Sequence, residues 1–120
     1  MVVLMKRDME FIRELLLKIE EKESRFDYVA TDSKTEYHLD LMIEASLIKA
    51  EKTHYMDNTI NFDIVGMTWA GHDFLDAARN DKVWGKAEET AESKGMDLRS
   101  LPIEIVKDLL VESAKALIGF

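Results

Sequence analysis

The chain has no cysteine and a single proline among its 120 residues. The absence of cysteine excludes disulfides, thiolate zinc sites and cysteine nucleophiles. The five glycines are scattered singly, which excludes a glycine-rich phosphate loop. Apolar runs such as residues 15–17 are far too short for a membrane span, and residues 1–8 do not resemble a secretory signal. We therefore expect a soluble, cytoplasmic protein without membrane contacts.

Positive charge is also scarce. Sixteen Lys and Arg residues stand against 24 Asp and Glu residues, which gives a net charge of −8. Residues 33–67 hold three lysines and six carboxylates, a local net charge of −3. Because duplex DNA binding depends on neutralised phosphates, this charge disfavours DNA as a partner without excluding it.

The spacing of the apolar residues predicts one α+β domain over residues 1–120. Residues 33–76 follow the order helix, strand, turn, strand, helix, which is typical of a winged helix-turn-helix-like fold with a small antiparallel sheet. We expect the core of this domain at about residues 5–79 and a C-terminal helical extension at about 80–119. The expected helices lie at about 8–22, 34–46, 68–79, 80–93 and 101–119, and the expected strands at 25–30, 47–50 and 60–64.

The connection before the second helix is short. Residues 31–33 leave no room for the other helix of a helix-turn-helix pair, which weakens the case for DNA binding. Ser33 and Glu36 match a capping box that would begin the second helix. In the first helix we expect Asp8 as the N-cap and Arg13 on the solvated side.

The second helix and the hairpin supply the candidate contact residues. Glu36, Asp40 and Glu44 are four residues apart and predict one acidic ridge along the helix. We favour a solvated or protein-facing ridge over a base-reading one. Residues 54–58 form the polar tip of the hairpin, or wing. The candidates for contact with a partner or a nucleic acid are Glu36, His38, Asp40, Met42, Lys49, Lys52, His54 and Tyr55.

The C-terminal half predicts helices with large apolar faces. We expect Thr68 to cap a helix that buries Trp69, Phe74, Leu75 and Ala78. The last helix carries two apolar faces, and packing of both within the monomer is the simpler interpretation. A homodimer through this helix is the alternative.

We find no motif for catalysis. His38, His54 and His72 lack metal-ligand spacing. His72 and Asp76 lie four residues apart, but a His and Asp pair with this spacing is common by chance. No serine lies in a nucleophile elbow. We therefore predict no enzyme activity, no cofactor and no metal.

Three motifs resemble a known family: MKRDM at residues 5–9, YHLDLMIEASLI at 37–48 and TWAGHDFLD at 68–76. They resemble a bacterial and prophage domain-of-unknown-function family, number twenty-five thirteen, and are similar to YjcQ-type winged-helix proteins. The resemblance implies a winged-helix fold and a prophage context, with no catalytic or binding residues to transfer. It also implies that residues 1–4 are either an upstream extension or a start-site choice, and that Ser46 replaces a common glycine.

Three functional hypotheses follow from these observations. The first is a small regulatory or accessory protein that acts through protein–protein contacts with an unknown partner. The second is a DNA-binding transcriptional regulator, supported by fold analogy alone. The third is an acidic DNA mimic, which requires carboxylates clustered on one face.

Overall fold

The computed structural model describes residues 5–119, which form five α-helices and a three-stranded antiparallel sheet. In chain order the elements are α1 (Met9–Glu20), β1 (Phe26–Ala30), α2 (Ser33–Glu44), β2 (Ile48–His54), β3 (Ile60–Met67), α3 (Trp69–Ala78), α4 (Asp81–Ser93), a 3-10 turn (Leu98–Ser100) and α5 (Ile103–Ile118). This confirms the α+β, winged-helix-like prediction. The suggested extension at residues 1–4 lies outside the described residues. No described helix is both long and apolar enough to cross a bilayer.

The sheet has the order β1-β3-β2, with β3 in the centre. Both pairings are antiparallel, and β1 therefore supplies the third strand that was predicted. Phe62 and Ile64 of β3 are fully buried, as their alternation with polar residues predicts. Only residues 31 and 32 separate β1 from α2, so this part of the chain has a single helix where a helix-turn-helix has two.

α1 begins where the sequence predicts. The Asp8 side chain accepts hydrogen bonds from the backbone N–H groups of Glu10 and Phe11, at 3.0 and 3.2 Å. The helix then buries one apolar stripe in the core, formed by Met9, Ile12, Leu15, Leu16 and Ile19. The spacing of this stripe is that of an amphipathic helix packed on one side.

Arg13 corrects the prediction for α1, since it is 8% exposed instead of solvated. Its Nε donates to the Ala78 carbonyl at 2.5 Å, and its Nη2 donates to the Arg79 carbonyl at 3.1 Å and to Asp81 Oδ1 at 2.6 Å. The guanidinium carbon lies 5.2 Å from the ring centroid of Trp84. Arg13 therefore satisfies carbonyls at the end of α3, which have no partner within the helix.

Trp69 corrects the prediction for α3, because the side chain is 84% exposed. The buried residues of this helix are Gly71, Phe74, Leu75 and Ala78. Trp69 precedes Gly71 by two positions, about 200° around a helix, and therefore points away from that stripe. The other predictions for α3 are confirmed, including the Thr68 cap, whose side chain accepts from the Gly71 N–H.

The start of α3 packs tightly against the end of the α2–β2 connection. A Cβ atom at Gly71 would lie 2.1 Å from the Leu47 carbonyl oxygen, so only glycine fits there without movement. Ser46, which directly precedes Leu47, has a left-handed φ of 58°. A glycine at this position would adopt that conformation without strain, which accounts for the residue type expected from the resemblance.

α4 and α5 have the predicted bounds, with Asn80 as N-cap of α4 and Gly119 in the left-handed region after α5. α5 packs on α3 and α4. The expectation that both of its apolar faces are covered within the monomer is wrong. Four large apolar side chains of α5 are exposed, Ile105, Val111, Leu117 and Ile118.

Candidate functional site

The candidate surface comprises the acidic ridge of α2, formed by Glu36, Asp40 and Glu44, together with Lys52 of β2 and the wing tip at residues 54–58. We call it the α2–wing face. The local sequence places α2 beside the hairpin because the Ser46 turn reverses the chain directly into β2.

The N-cap of α2 is one residue earlier than the predicted capping box. Asp32, not Ser33, accepts a hydrogen bond from the Thr35 N–H at 2.6 Å. A carboxylate at this position also interacts favourably with the positive end of the helix dipole. The hydrogen bond from the Thr35 backbone holds the pKa of Asp32 below its ordinary value.

The acidic ridge is bound to the hairpin by Lys52. The Lys52 ammonium lies 2.9 Å from Glu36 Oε1 and 2.9 Å from Asp40 Oδ2. Hydrogen bonds to Asp40 and Glu36 raise the pKa of Lys52 above its ordinary value. The ammonium also lies 5.7 Å from the ring centroid of Phe62. The structure thus brings three of the predicted contact residues into one ion-paired group, with Glu44 exposed at the end of the ridge.

His38 and Met42 lie in the core and not on the α2–wing face, with exposures of 1% and 0%. His38 Nε2 accepts from the Asp8 N–H at 2.9 Å, while Nδ1 lies 2.8 Å from the Lys34 carbonyl and is therefore the protonated nitrogen. The imidazole joins the start of α1 to the first turn of α2. The prediction that His38 and Met42 contact a partner is therefore wrong, since both are buried and the polar atoms of His38 are satisfied within the protein.

The wing tip is closed by its own hydrogen bonds and presents apolar side chains outward. Tyr55 donates its N–H to the Thr59 carbonyl at 2.8 Å, and Asp57 Oδ1 accepts from the Thr59 N–H at 2.9 Å. Hydrogen bonds from Thr59 hold the pKa of Asp57 below its ordinary value. Tyr55 is 51% exposed and Met56 104% exposed, and His54 is exposed beside them.

Sequence reasoning missed Met56. The signal was present as a methionine directly after an aromatic residue in an otherwise polar turn.

Lys49, another of the predicted contact residues, is exposed on β2, next to an irregularity in the β2–β3 register.

Metal-ligand geometry does not mark this surface. Across residues 5–119, no group of three or more His, Asp or Glu side chains converges as a metal site would require. Asp76 pairs instead with Arg79 at 2.9 Å, while His72 is exposed one turn away.

Comparison with known proteins assigns the family. A family model described as "Hypothetical protein (DUF2513)" matches residues 6–97, from the N-terminal segment through α4. The chain belongs to this family. The resemblance found in the three sequence motifs is thereby confirmed, and the similarity to YjcQ-type proteins stays a prediction.

A relative from Haemophilus influenzae extends the match through most of the chain. That protein, described as "Uncharacterized protein", is 34% identical over 119 residues, which cover 93% of this chain and 100% of the relative. No solved structure gives a significant match.

Proposed function

We propose that this member of the DUF2513 family is a non-enzymatic regulatory or accessory protein that binds another protein through its α2–wing face. The carrying observation is that Lys52, the lysine nearest the ridge, is already engaged by Glu36 and Asp40. An ammonium held by two carboxylates is a poor ligand for a DNA phosphate, so the face keeps its acidic character.

The wing tip adds an apolar component to this acidic face. Tyrosine and methionine are enriched in protein interfaces, and Tyr55 and Met56 are exposed at the tip of the same hairpin that carries Lys52. The complementary partner is a protein with basic side chains around a small apolar pocket. Such a contact would be steered by charge and weakened by salt.

Differential capture tests the proposal. The wild-type protein and a Tyr55→Ser/Met56→Ser variant are immobilised, incubated with lysate of the native host and compared by quantitative mass spectrometry. We expect a basic protein that is retained by the wild type, lost by the variant and released by about 0.5 M salt. Val65→Ser, which removes an exposed apolar side chain from β3, is the matched control and should retain the same protein.

Two results would overturn the proposal. One is a captured set that does not change between the wild type and the wing-tip variant. The other is micromolar binding of a labelled random-sequence duplex that weakens steeply with salt, measured by fluorescence anisotropy. The second result would favour the DNA-binding regulator. The DNA mimic is less well supported, since two ridge carboxylates share one lysine instead of presenting free charges.

A homodimer through α5 stays a prediction. The four exposed apolar side chains of α5 are the observation in its favour. Sedimentation analysis of the wild type and of Ile118→Glu tests it, and a wild-type monomer would contradict it.

A further inference from the structure

We propose that a second surface of the protein, away from the α2–wing face, binds a small phosphorylated molecule. The surface is a groove of about 470 Å³ between the N-terminal segment, the start of α2 and the 3-10 turn. We call it the basic groove. Its charged residues are Lys6, Arg7, Asp8, Lys34, Asp97 and Arg99.

The fold assembles this groove from three segments that are distant in the sequence. The hydrogen bond from the Asp8 N–H to His38 holds the N-terminal segment against α2. Arg7 Nη2 donates to the Leu101 carbonyl at 3.3 Å and so joins the same segment to the chain after the 3-10 turn. Basic residues from all three segments thereby line one concave surface.

The groove is positive in a protein that is otherwise strongly acidic. Four basic side chains against two carboxylates leave a local net charge of +2. Since the whole chain carries −8, the remainder carries −10. The groove is therefore the place where an anion would be attracted.

Both carboxylates of the groove already have structural partners. Asp8 Oδ1 accepts from two N–H groups at the start of α1, and its Oδ2 lies 3.9 Å from the Lys34 ammonium. Asp97 caps the 3-10 turn and accepts from Arg99 Nε and Nη2 at 3.2 and 3.1 Å. Hydrogen bonds from Arg99 hold the pKa of Asp97 below its ordinary value. The same contacts pair Lys34 with Asp8 and Arg99 with Asp97, so the net charge of +2 rests on Lys6 and Arg7, and a bound anion would compete with the two carboxylates for Lys34 and Arg99.

The donors fit phosphate chemistry. Lysine offers a compact charge and arginine a planar fork of N–H groups, and phosphate oxygens accept from both. Lys34 is 56% exposed and Arg99 53% exposed, so both side chains are accessible to a small solute. The volume lies within the range of sites for small molecules. An extended polyanion such as duplex DNA would instead run onto the −10 remainder of the surface.

The test is a titration of the ¹⁵N-labelled full chain with pyrophosphate, followed by backbone amide shifts at constant ionic strength. We expect saturable shifts at residues 6–8, 34 and 97–100, without corresponding shifts when sodium chloride replaces pyrophosphate. In a Lys6→Gln/Lys34→Gln variant the affinity should fall at least tenfold. A melting temperature close to that of the wild type shows that this variant is folded.

A matched double variant separates the groove from net charge. Lys49→Gln/Lys82→Gln removes the same charge from two exposed lysines outside the groove and should bind pyrophosphate within twofold of the wild type. Equal weakening in both variants would overturn the proposal, because the attraction would then follow total charge. Identical shifts with sodium chloride, or tighter binding of a short DNA duplex than of pyrophosphate, would also overturn it.

Discussion

The two tryptophans differ in whether the rest of the molecule covers them. Trp84 of α4 is 3% exposed, whereas Trp69 of α3 is 84% exposed. Both occupy helices that follow directly on well-formed N-caps, at Asn80 and Thr68. The difference arises because Trp84 meets α1, whose Arg13 lies over its ring, while Trp69 lies off the buried stripe of its own helix.

This comparison shows which side chains stabilise the fold and which are available for other roles. A buried aromatic ring contributes through the apolar area that it removes from water. An exposed one contributes little to stability, whatever its helical position. The two tryptophans are therefore expected to respond very differently to mutation.

Substitution of each tryptophan should give the largest difference in the free energy of unfolding. Trp84→Ala should lower the free energy of unfolding by about 3–5 kcal/mol, because it leaves a cavity in the core. Trp69→Ala should lower it by less than about 1 kcal/mol. Urea unfolding followed by far-ultraviolet circular dichroism measures both. Equal losses would break the comparison, as would stronger acrylamide quenching of Trp84 than of Trp69 in the single-tryptophan proteins.

Loss of the Arg13 side chain should lower the free energy of unfolding nearly as much as loss of the Trp84 ring that it covers. Arg13→Met keeps much of the apolar stem but leaves the carbonyls of Ala78 and Arg79 without their donor. We expect a loss of about 3 kcal/mol in the free energy of unfolding. Arg25→Met is the control, since Arg25 also pairs with an aspartate but is exposed, and its loss should be far smaller. Similar losses for the two variants would contradict the buried role of Arg13.

Gly71 tests whether the start of α3 is tightly packed despite the exposure of Trp69. Gly71→Ala should cost about 1–3 kcal/mol, because the new methyl group would collide with the Leu47 carbonyl. Gly85→Ala in α4 is the matched control, since nothing lies within 4 Å of its added Cβ. That change should stabilise the protein by about 0.5–1 kcal/mol. Thermal unfolding distinguishes the two signs.

Substitution of Ser46 should give the smallest change in stability. Ser46→Gly relieves a left-handed backbone position and should stabilise the protein by about 0.5–1 kcal/mol. Denaturant unfolding measures the gain. A loss of stability would show that the serine side chain contributes more than its backbone conformation costs.

Features set by near neighbours in the chain could be predicted from the sequence. The caps at Asp8 and Thr68 are local, and the structure places them as expected. The error at the start of α2 was a single residue, because Asp32 and Ser33 are both good caps and only the folded turn decides between them.

Features set by distant parts of the chain could not be predicted. Arg13 looks solvated in a helical pattern because its acceptors lie 65 residues away or more. Lys52 and its two carboxylates were each proposed as contacts, yet their ion pairing needs the geometry of α2 on the hairpin. The basic groove was missed for the same reason, since a search along one segment does not reveal cations brought together by the fold.

The strand order also has a consequence for the sequence of folding events. β2 and β3 are joined by a short turn, so their pairing closes a small loop, whereas β1 reaches β3 only across α2 and β2. Because closing a longer loop costs more chain entropy, we expect the hairpin to form early and β1 to add late. Substitutions in β1 should then accelerate unfolding more than they slow refolding. Stopped-flow kinetics of Tyr28→Ala and Ile60→Ala would show this, and a nucleus containing β1 would produce the reverse.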